Sequence, residues 1–195
     1  SMSLNYGGME VFLADTTGKV NLLSGSQPQL DGLKLSENGK KAAYLDTDAN
    51  TGDTILVEIE LGKEKAETVA TNVQSFGYIG NTLIYYFDYT EGVGTLGAAG
   101  SKTTIANASG VQFTEDAVYY VADADAATGN GELRAWDGKT ETAIAKDVFA
   151  FQYKENGKLV YIGKYDVNAG VGDLYYYDGK EARKLDTGIT AIFIY

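Results

Sequence analysis

Short runs of Tyr, Val, Leu and Ile alternate with clusters of Gly, Asp and Asn along the whole chain. Runs of that kind, bounded by turn residues, predict β-strands. No segment of useful length repeats its apolar positions at a helical period. The clearest runs are Ala42–Leu45, Leu83–Phe87, Ala117–Val121 and Leu159–Ile162, and each leads into an Asp-rich loop. Four times an Asp in such a loop is followed six residues later by Gly: Asp46 and Gly52, Asp88 and Gly94, Asp123 and Gly129, Asp166 and Gly172. A second marker runs in phase with the first. Gly-Lys or Gly-Ser-Lys turns begin at Gly18, Gly62, Gly100, Gly138 and Gly179.

Recurrence at about forty residues marks a tandem repeat, and four strands per repeat at that period mark a β-propeller blade. We name the strands a to d. Strand a is short: Leu33–Leu35, Phe76–Ile79, a weak run near Phe113, and Phe149–Tyr153. Strand b is the run before each Asp. Strand c precedes the Gly-Lys turn, as in Thr54–Glu60, Glu132–Trp136 and Asp173–Tyr177, and the more polar strand d follows it. Asn38-Gly39 and Asn156-Gly157 are hairpin signals between a and b. The expected fold is an all-β propeller of four-stranded antiparallel blades, about five in number, in one domain. Its units are 9–25 (partial), 31–74, 75–111, 112–148 and 149–189, with a closing strand at 190–195. An open arc of a larger propeller is the alternative.

The stretches Gly131-Glu-Leu-Arg-Ala-Trp136-Asp137-Gly138-Lys139 and Gly172-Asp-Leu-Tyr-Tyr-Tyr-Asp178-Gly179-Lys180 resemble blades of bacterial propellers. The types are TolB-like and dipeptidyl-peptidase N-terminal-like, and the repeats also look like those of Firmicutes surface proteins of unassigned function. Trp136-Asp137 stands where a WD repeat has its dipeptide, but the partner Gly-His motif is impossible in a chain without His. The resemblance implies binding or scaffolding by an exported module of a larger bacterial protein, extracellular or at the cell surface. Catalysis, when present in such proteins, comes from other domains.

Composition agrees with the strands and narrows the chemistry. The 195 residues include 15 Tyr and 24 Gly but one Pro, no Cys and no His. Tyr favours a pleated, half-buried surface and Gly supplies turns of positive φ. Without Cys or His there is no disulfide, no thiolate nucleophile, no Ser-His-Asp triad and no His-bound metal. A net charge of −11 disfavours nucleic acid and anionic membranes. No apolar run is long enough to span a bilayer. A protein or carbohydrate ligand is expected instead. The first residues, Ser1-Met2-Ser3-Leu4, lack the pattern of a signal peptide and look like an expression scar.

Blade topology sorts the charges. Asp46, Asp48, Asp53, Asp88, Glu91, Asp123, Asp125, Asp166 and Asp173 are expected at the b–c end of the disc, with Lys19, Lys63, Lys65, Lys102, Lys139 and Lys180 at the c–d end. The richest loop, Asp46-x-Asp48-x-Asn50-x-x-Asp53, spaces oxygen ligands as a calcium loop does. Ordinary Asx-turns, in which each Asp caps its own backbone, account for the same residues. A carboxylate-dependent glycoside hydrolase needs a pair of acids, for which Glu37, Glu115, Asp116 and Glu155 near the ends of the a strands are candidates. Their hairpin setting points them outward from the rim. The aromatic runs offer either a sugar-stacking platform or inter-blade packing, with packing expected for Tyr86, Tyr120 and Tyr176.

Overall fold

The computed structural model of the chain describes residues 12–14, 20–22, 32–63 and 65–193. All regular structure there of more than one turn is β. The strands β1 (Phe12–Ala14) and β2 (Val20–Leu22) form a hairpin. A four-stranded sheet follows: β3 (Lys34–Leu35), β4 (Lys41–Thr47), β5 (Thr54–Glu60) and β6 (Glu67–Thr71). The remaining strands are β7 (Val73–Ile79), β8 (Thr82–Thr90), β9 (Val93–Ala98), β10 (Thr104–Phe113), β11 (Val118–Ala122), β12 (Gly131–Trp136), β13 (Glu141–Glu155), β14 (Lys158–Asp166), β15 (Val171–Tyr177) and β16 (Ala182–Ile189). They pair in chain order, antiparallel throughout, as one ten-stranded sheet.

Separate four-stranded sheets were expected, so the continuity needs a cause. β10 and β13 are each two strands in one. The first half of β13 pairs with β12 as strand d of one unit, and the second half pairs with β14 as strand a of the next. The change of partner occurs at a residue of left-handed backbone, Asn107 (φ 55°) in β10 and Asp147 (φ 55°) in β13. Asn72 (φ 55°) makes the same kink between β6 and β7, and Gly188 (φ 70°) makes it in β16. Opposite the kinks stand Gly94, Gly131 and Gly172, paired with Ala108, Val148 and Ile189. Strand b crowds these glycines, since a Cβ on Gly131 would lie 2.4 Å from the Ala122 carbonyl oxygen.

Four units result: β3–β6, β7 to the first half of β10, from there to the first half of β13, and from there to β16. Apolar clusters fill the gaps between them. Ile84, Tyr86 and Leu96 of the second unit pack on Val118, Tyr120 and Trp136 of the third. Tyr119, Val121 and Leu133 of the third pack on Leu159 and Tyr161 of the fourth. One column of the repeat, Leu56, Leu96 and Leu133, is fully buried in three successive units. Burial of each such side chain stabilises by about 1.5–3 kcal/mol. Its counterpart Leu174, on the last face, is only half-buried.

Adjacent units bond directly through their a strands and the turns that follow them. Glu37 N–H donates to the Gly80 carbonyl at 3.0 Å. Gln112 donates its amide to the Phe151 carbonyl at 3.0 Å and accepts from Tyr153 N–H at 3.0 Å. The a strands therefore converge as they do around a propeller axis. Among the described residues no strand pairing closes the sheets into a ring. Residues 190–193, the described part of the expected closing strand, are irregular. Of the expected partial unit 9–25, only β1 and β2 lie within the described residues.

Candidate binding site

Because successive strands reverse direction, the b–c loops gather at one end of the blades. Three of them are built on the same device. In the first, Asp48 Oδ1 accepts from the N–H groups of Asn50 at 2.8 Å and Thr51 at 3.1 Å. The loop closes through Asp48 N–H to the Asp53 carbonyl at 2.9 Å and Gly52 N–H to the Asp48 carbonyl at 2.8 Å. In the third unit, Asp125 Oδ1 accepts from Ala127 N–H, Thr128 N–H and the Thr128 hydroxyl at 2.9–3.0 Å. In the fourth, Asp166 Oδ1 accepts from Asn168 N–H at 2.8 Å and Ala169 N–H at 3.3 Å. The donated N–H groups hold the carboxyls of Asp48 and Asp125 below the ordinary carboxylate range.

The four expected calcium ligands share this first loop. Asp46 Oδ1 accepts from Thr47 N–H at 2.8 Å, and Asp53 joins the loop through its backbone, its N–H donating to the Thr51 hydroxyl at 3.2 Å. At least one oxygen of Asp46 and of Asp48 is thus engaged by the chain's own amides. Among the described residues no group of three or more Asp or Glu side chains converges where a metal ion would sit. Other acids of this end are also engaged. Asp88 and Asp123 clasp Asn72 and Asn107, and Asp173 pairs with Lys184 at 2.8 Å.

The opposite end is mixed in sign. Lys63, Lys102, Lys139 and Lys180 sit in its c–d turns, while the a–b turns place Glu37, Glu115, Asp116 and Glu155 closer to the axis. These acids were expected to face outward from the rim, but they line clefts between units. One cavity of about 460 Å³ is bounded by Leu35, Glu37, Tyr78, Ile79, Glu115 and Asp116. A neighbouring one of about 350 Å³ is bounded by Glu115, Asp116, Tyr153 and Glu155. Beside the first, the Tyr78 hydroxyl donates to Glu58 at 2.8 Å, and burial, more than that carboxylate, pushes its pKa up. Expected packing of the tyrosines holds for Tyr86 and Tyr120, which are buried, while Tyr176 is half-buried under the Arg183 guanidinium.

Sequence reading did not single out Gln112 and Asn130, whose amides bind the next unit's backbone. Asn130 stands where the neighbouring units carry Val93 and Val171, whereas Gln112 shares its column with Gln152 of the fourth unit.

No family profile matches the chain, and no curated protein matches it. Solved structures do. An acylaminoacyl peptidase in complex with Z-Gly-Gly-Phe-chloromethyl ketone aligns at a TM-score of 0.51 and 13% identity, over 85% of this chain and 32% of that one. The Pyrococcus horikoshii acylaminoacyl peptidase aligns at 0.51 and 14%, over 87% and 33%. The β-propeller domain of the trilobed protease from Pyrococcus furiosus, which has an open velcro topology, aligns at 0.51 and 14%, over 90% and 63%. TolB from Acinetobacter baumannii aligns at 0.46 and 13%, over 95% and 51%. This chain thus spans about a third of the peptidase chains and under two thirds of the propeller domain. At such identities the likeness is one of fold, and in fold the chain resembles the β-propeller domain of the trilobed protease and part of the acylaminoacyl peptidases.

Proposed function

We propose that this chain is a non-enzymatic binding or scaffolding propeller, an exported module of a larger bacterial protein, and that its b–c end docks a basic protein surface. The observation that carries the reading is the shared loop device. Asp48, Asp125 and Asp166 each fold their loop around the side-chain Oδ1, so an acidic side chain is presented in a fixed place without ordering a loop on contact. Charge held in that way steers a cationic partner and sets its orientation. Among the described residues, every Asp whose titration is displaced is displaced downward, away from what a general acid requires. An extracellular or cell-surface location rests on the likeness of the blade sequences to surface proteins.

Titration of the isotopically labelled chain with tetralysine tests the docking end. Amide shifts are expected at residues 48–53, 123–130 and 166–170, weakened by salt and by Asp125→Asn, which keeps the cap and removes the charge. Shifts spread equally over the a–b turns overturn the assignment.

We also read the ring as one of about five blades, with 190–195 as strand a of the fifth. Support comes from the kink at Gly188 and the pairing of Ile189 with Gly172, which repeat the passage from d to a at Asp147 and Val148. An open arc of a larger propeller is the other arrangement.

One observation favours a second reading, a carboxylate-dependent glycoside hydrolase: Glu37, Glu115 and Asp116 border a single cavity. Release of reducing sugar from neutral polysaccharides, lost in Glu115→Gln, would establish it. A structural calcium at Asp46, Asp48, Asn50 and Asp53 is separable by calcorimetric titration, since heat lost in Asp48→Ala is its signature.

A further inference from the structure

Between the second and third units, at the b–c end, lies a cavity of about 440 Å³ bounded by Gln74, Ser75, Tyr86, Tyr89, Gly110 and Gln112 among others. That volume is in the range of small-ligand sites. None of the side chains bounding it carries a charge, whereas other cavities of the chain are bordered by Glu37, Glu115 and Asp116, by Lys139, or by Asp178 and Arg183. In a chain of net charge −11 such a lining does not select a cation.

The repeat shows what this cavity lacks. Tyr89 and Tyr165 hold the same place in their units, each following a residue of left-handed backbone, Asp88 and Lys164. In the fourth unit the Tyr165 ring is covered by Phe149, stacked at 3.9 Å and 8°. Phe149 follows Val148 at the head of strand a, and in the second unit the residue after Val73 at that place is Gln74. Tyr89 therefore has no aromatic cover from that strand and is 48% exposed. Its orientation is nevertheless held, edge-on to the Tyr86 ring at 5.8 Å. Tyr86 is itself buried and anchored by its hydroxyl to the Ala108 carbonyl at 2.8 Å. The amide of Gln112 is spent on the next unit. By contrast the Tyr89 hydroxyl, the Gln74 amide and the Ser75 hydroxyl make no hydrogen bond among the described residues.

We propose that this cavity binds a neutral carbohydrate, one sugar ring lying on Tyr89 as Phe149 lies on Tyr165. The C–H face of the sugar meets the aromatic face, and the Gln74 amide and the Ser75 and Tyr89 hydroxyls take its hydroxyl groups. The site is independent of docking by a basic partner, so either property can fail without the other.

Labelled protein is titrated with cellotetraose, maltotetraose and chitotetraose, with tetragalacturonate as the charged control. At least one neutral tetramer is expected to shift the amides of Ser75, Tyr89, Gly92 and Gly110 at millimolar concentration. Tyr89→Ala is expected to weaken that binding about tenfold, with the circular dichroism spectrum unchanged because the side chain is exposed. Gln74→Phe installs the fourth unit's cover and is expected to abolish binding while the fold persists. The proposal is overturned if no neutral tetramer shifts these amides, if tetragalacturonate binds as well as they do, or if binding survives both substitutions.

Discussion

Asn107 and Asp123 both adopt left-handed backbone, at φ 55° and 48°, and are joined twice: Asp123 N–H donates to the Asn107 carbonyl at 3.2 Å, and the Asn107 amide donates to the Asp123 carboxylate at 3.3 Å. Asn72 and Asp88 repeat the clasp, with bonds of 3.1 and 3.2 Å. The clasp sits where strand d of one unit becomes strand a of the next. It lets the chain change partners there while the backbone groups stay paired. Asn and Asp suit the place because they tolerate left-handed backbone better than other residues with a Cβ.

Two substitutions separate backbone strain from the side-chain bond. Asn107→Ala loses the bond and puts an ordinary side chain at φ 55°, a strain of about 1–2 kcal/mol. Asn107→Gly loses the same bond without the strain. In urea unfolding Gly is expected to be the milder change by about 1 kcal/mol. Equal losses would mean that the kink stores no such preference.

Buried tyrosine hydroxyls give a pair of opposite sign. The Tyr120 hydroxyl is buried beside the Arg134–Glu141 ion pair without a hydrogen bond of acceptable geometry, whereas that of Tyr86 is bonded to Ala108. Burial raises the pKa of both, that of Tyr86 to about 12, so neither ionises near neutrality. Tyr120→Phe is expected to raise stability by about 1 kcal/mol and Tyr86→Phe to lower it by a similar amount. Thermal denaturation checks both. A loss in Tyr120→Phe would show that its hydroxyl has a partner, such as a bridging water.

Acid should loosen the loops and turns together. Backbone N–H groups hold Asp48, Asp125, Asp137 and Asp178 below the ordinary value of 3.8. A carboxylate with a lowered folded pKa contributes stability above its unfolded pKa and loses it as the pH falls through the folded one. The urea midpoint is therefore expected to be level from pH 7 to about 5 and to fall below about 4. Asp125→Asn and Asp178→Asn keep the capping oxygen and should flatten that fall. An unchanged acid limb in the double variant would place the titration elsewhere.

Strands b and c were legible because their Tyr- and Leu-rich runs are long and end in Gly-marked turns. Leu83–Phe87 falls within β8 and Glu132–Trp136 within β12. The fusion of d with a was not legible, since nothing in the residues beside Asn72 and Asn107 marks a change of strand partner. Their partners lie 16 positions away, beyond any local pattern. For the same reason Asp88 and Asp123 read as free acids of the rim. Asp48 and Asp125 were legible as caps, because an Asx-turn is a local event. The exposed face of Tyr89 appears only when units are superposed, through the exchange of Phe149 for Gln74.

The column Leu56, Leu96, Leu133 and Leu174 reports on what lies beyond the fourth unit. Leu133 is fully buried, and Leu133→Ala is expected to cost about 2–5 kcal/mol. Leu174 is half-buried, with Leu185 exposed on the neighbouring strand. If that face is open in solution, Leu174→Ala costs roughly half as much, in proportion to the apolar area involved. If a fifth blade covers it, the two losses converge, and Leu174 amide exchange slows toward that of Leu133. Unfolding of both variants, read alongside hydrogen exchange, thus distinguishes an open last face from a covered one. Convergence of the losses would support the ring of about five blades, and a persistent twofold gap would support an open end.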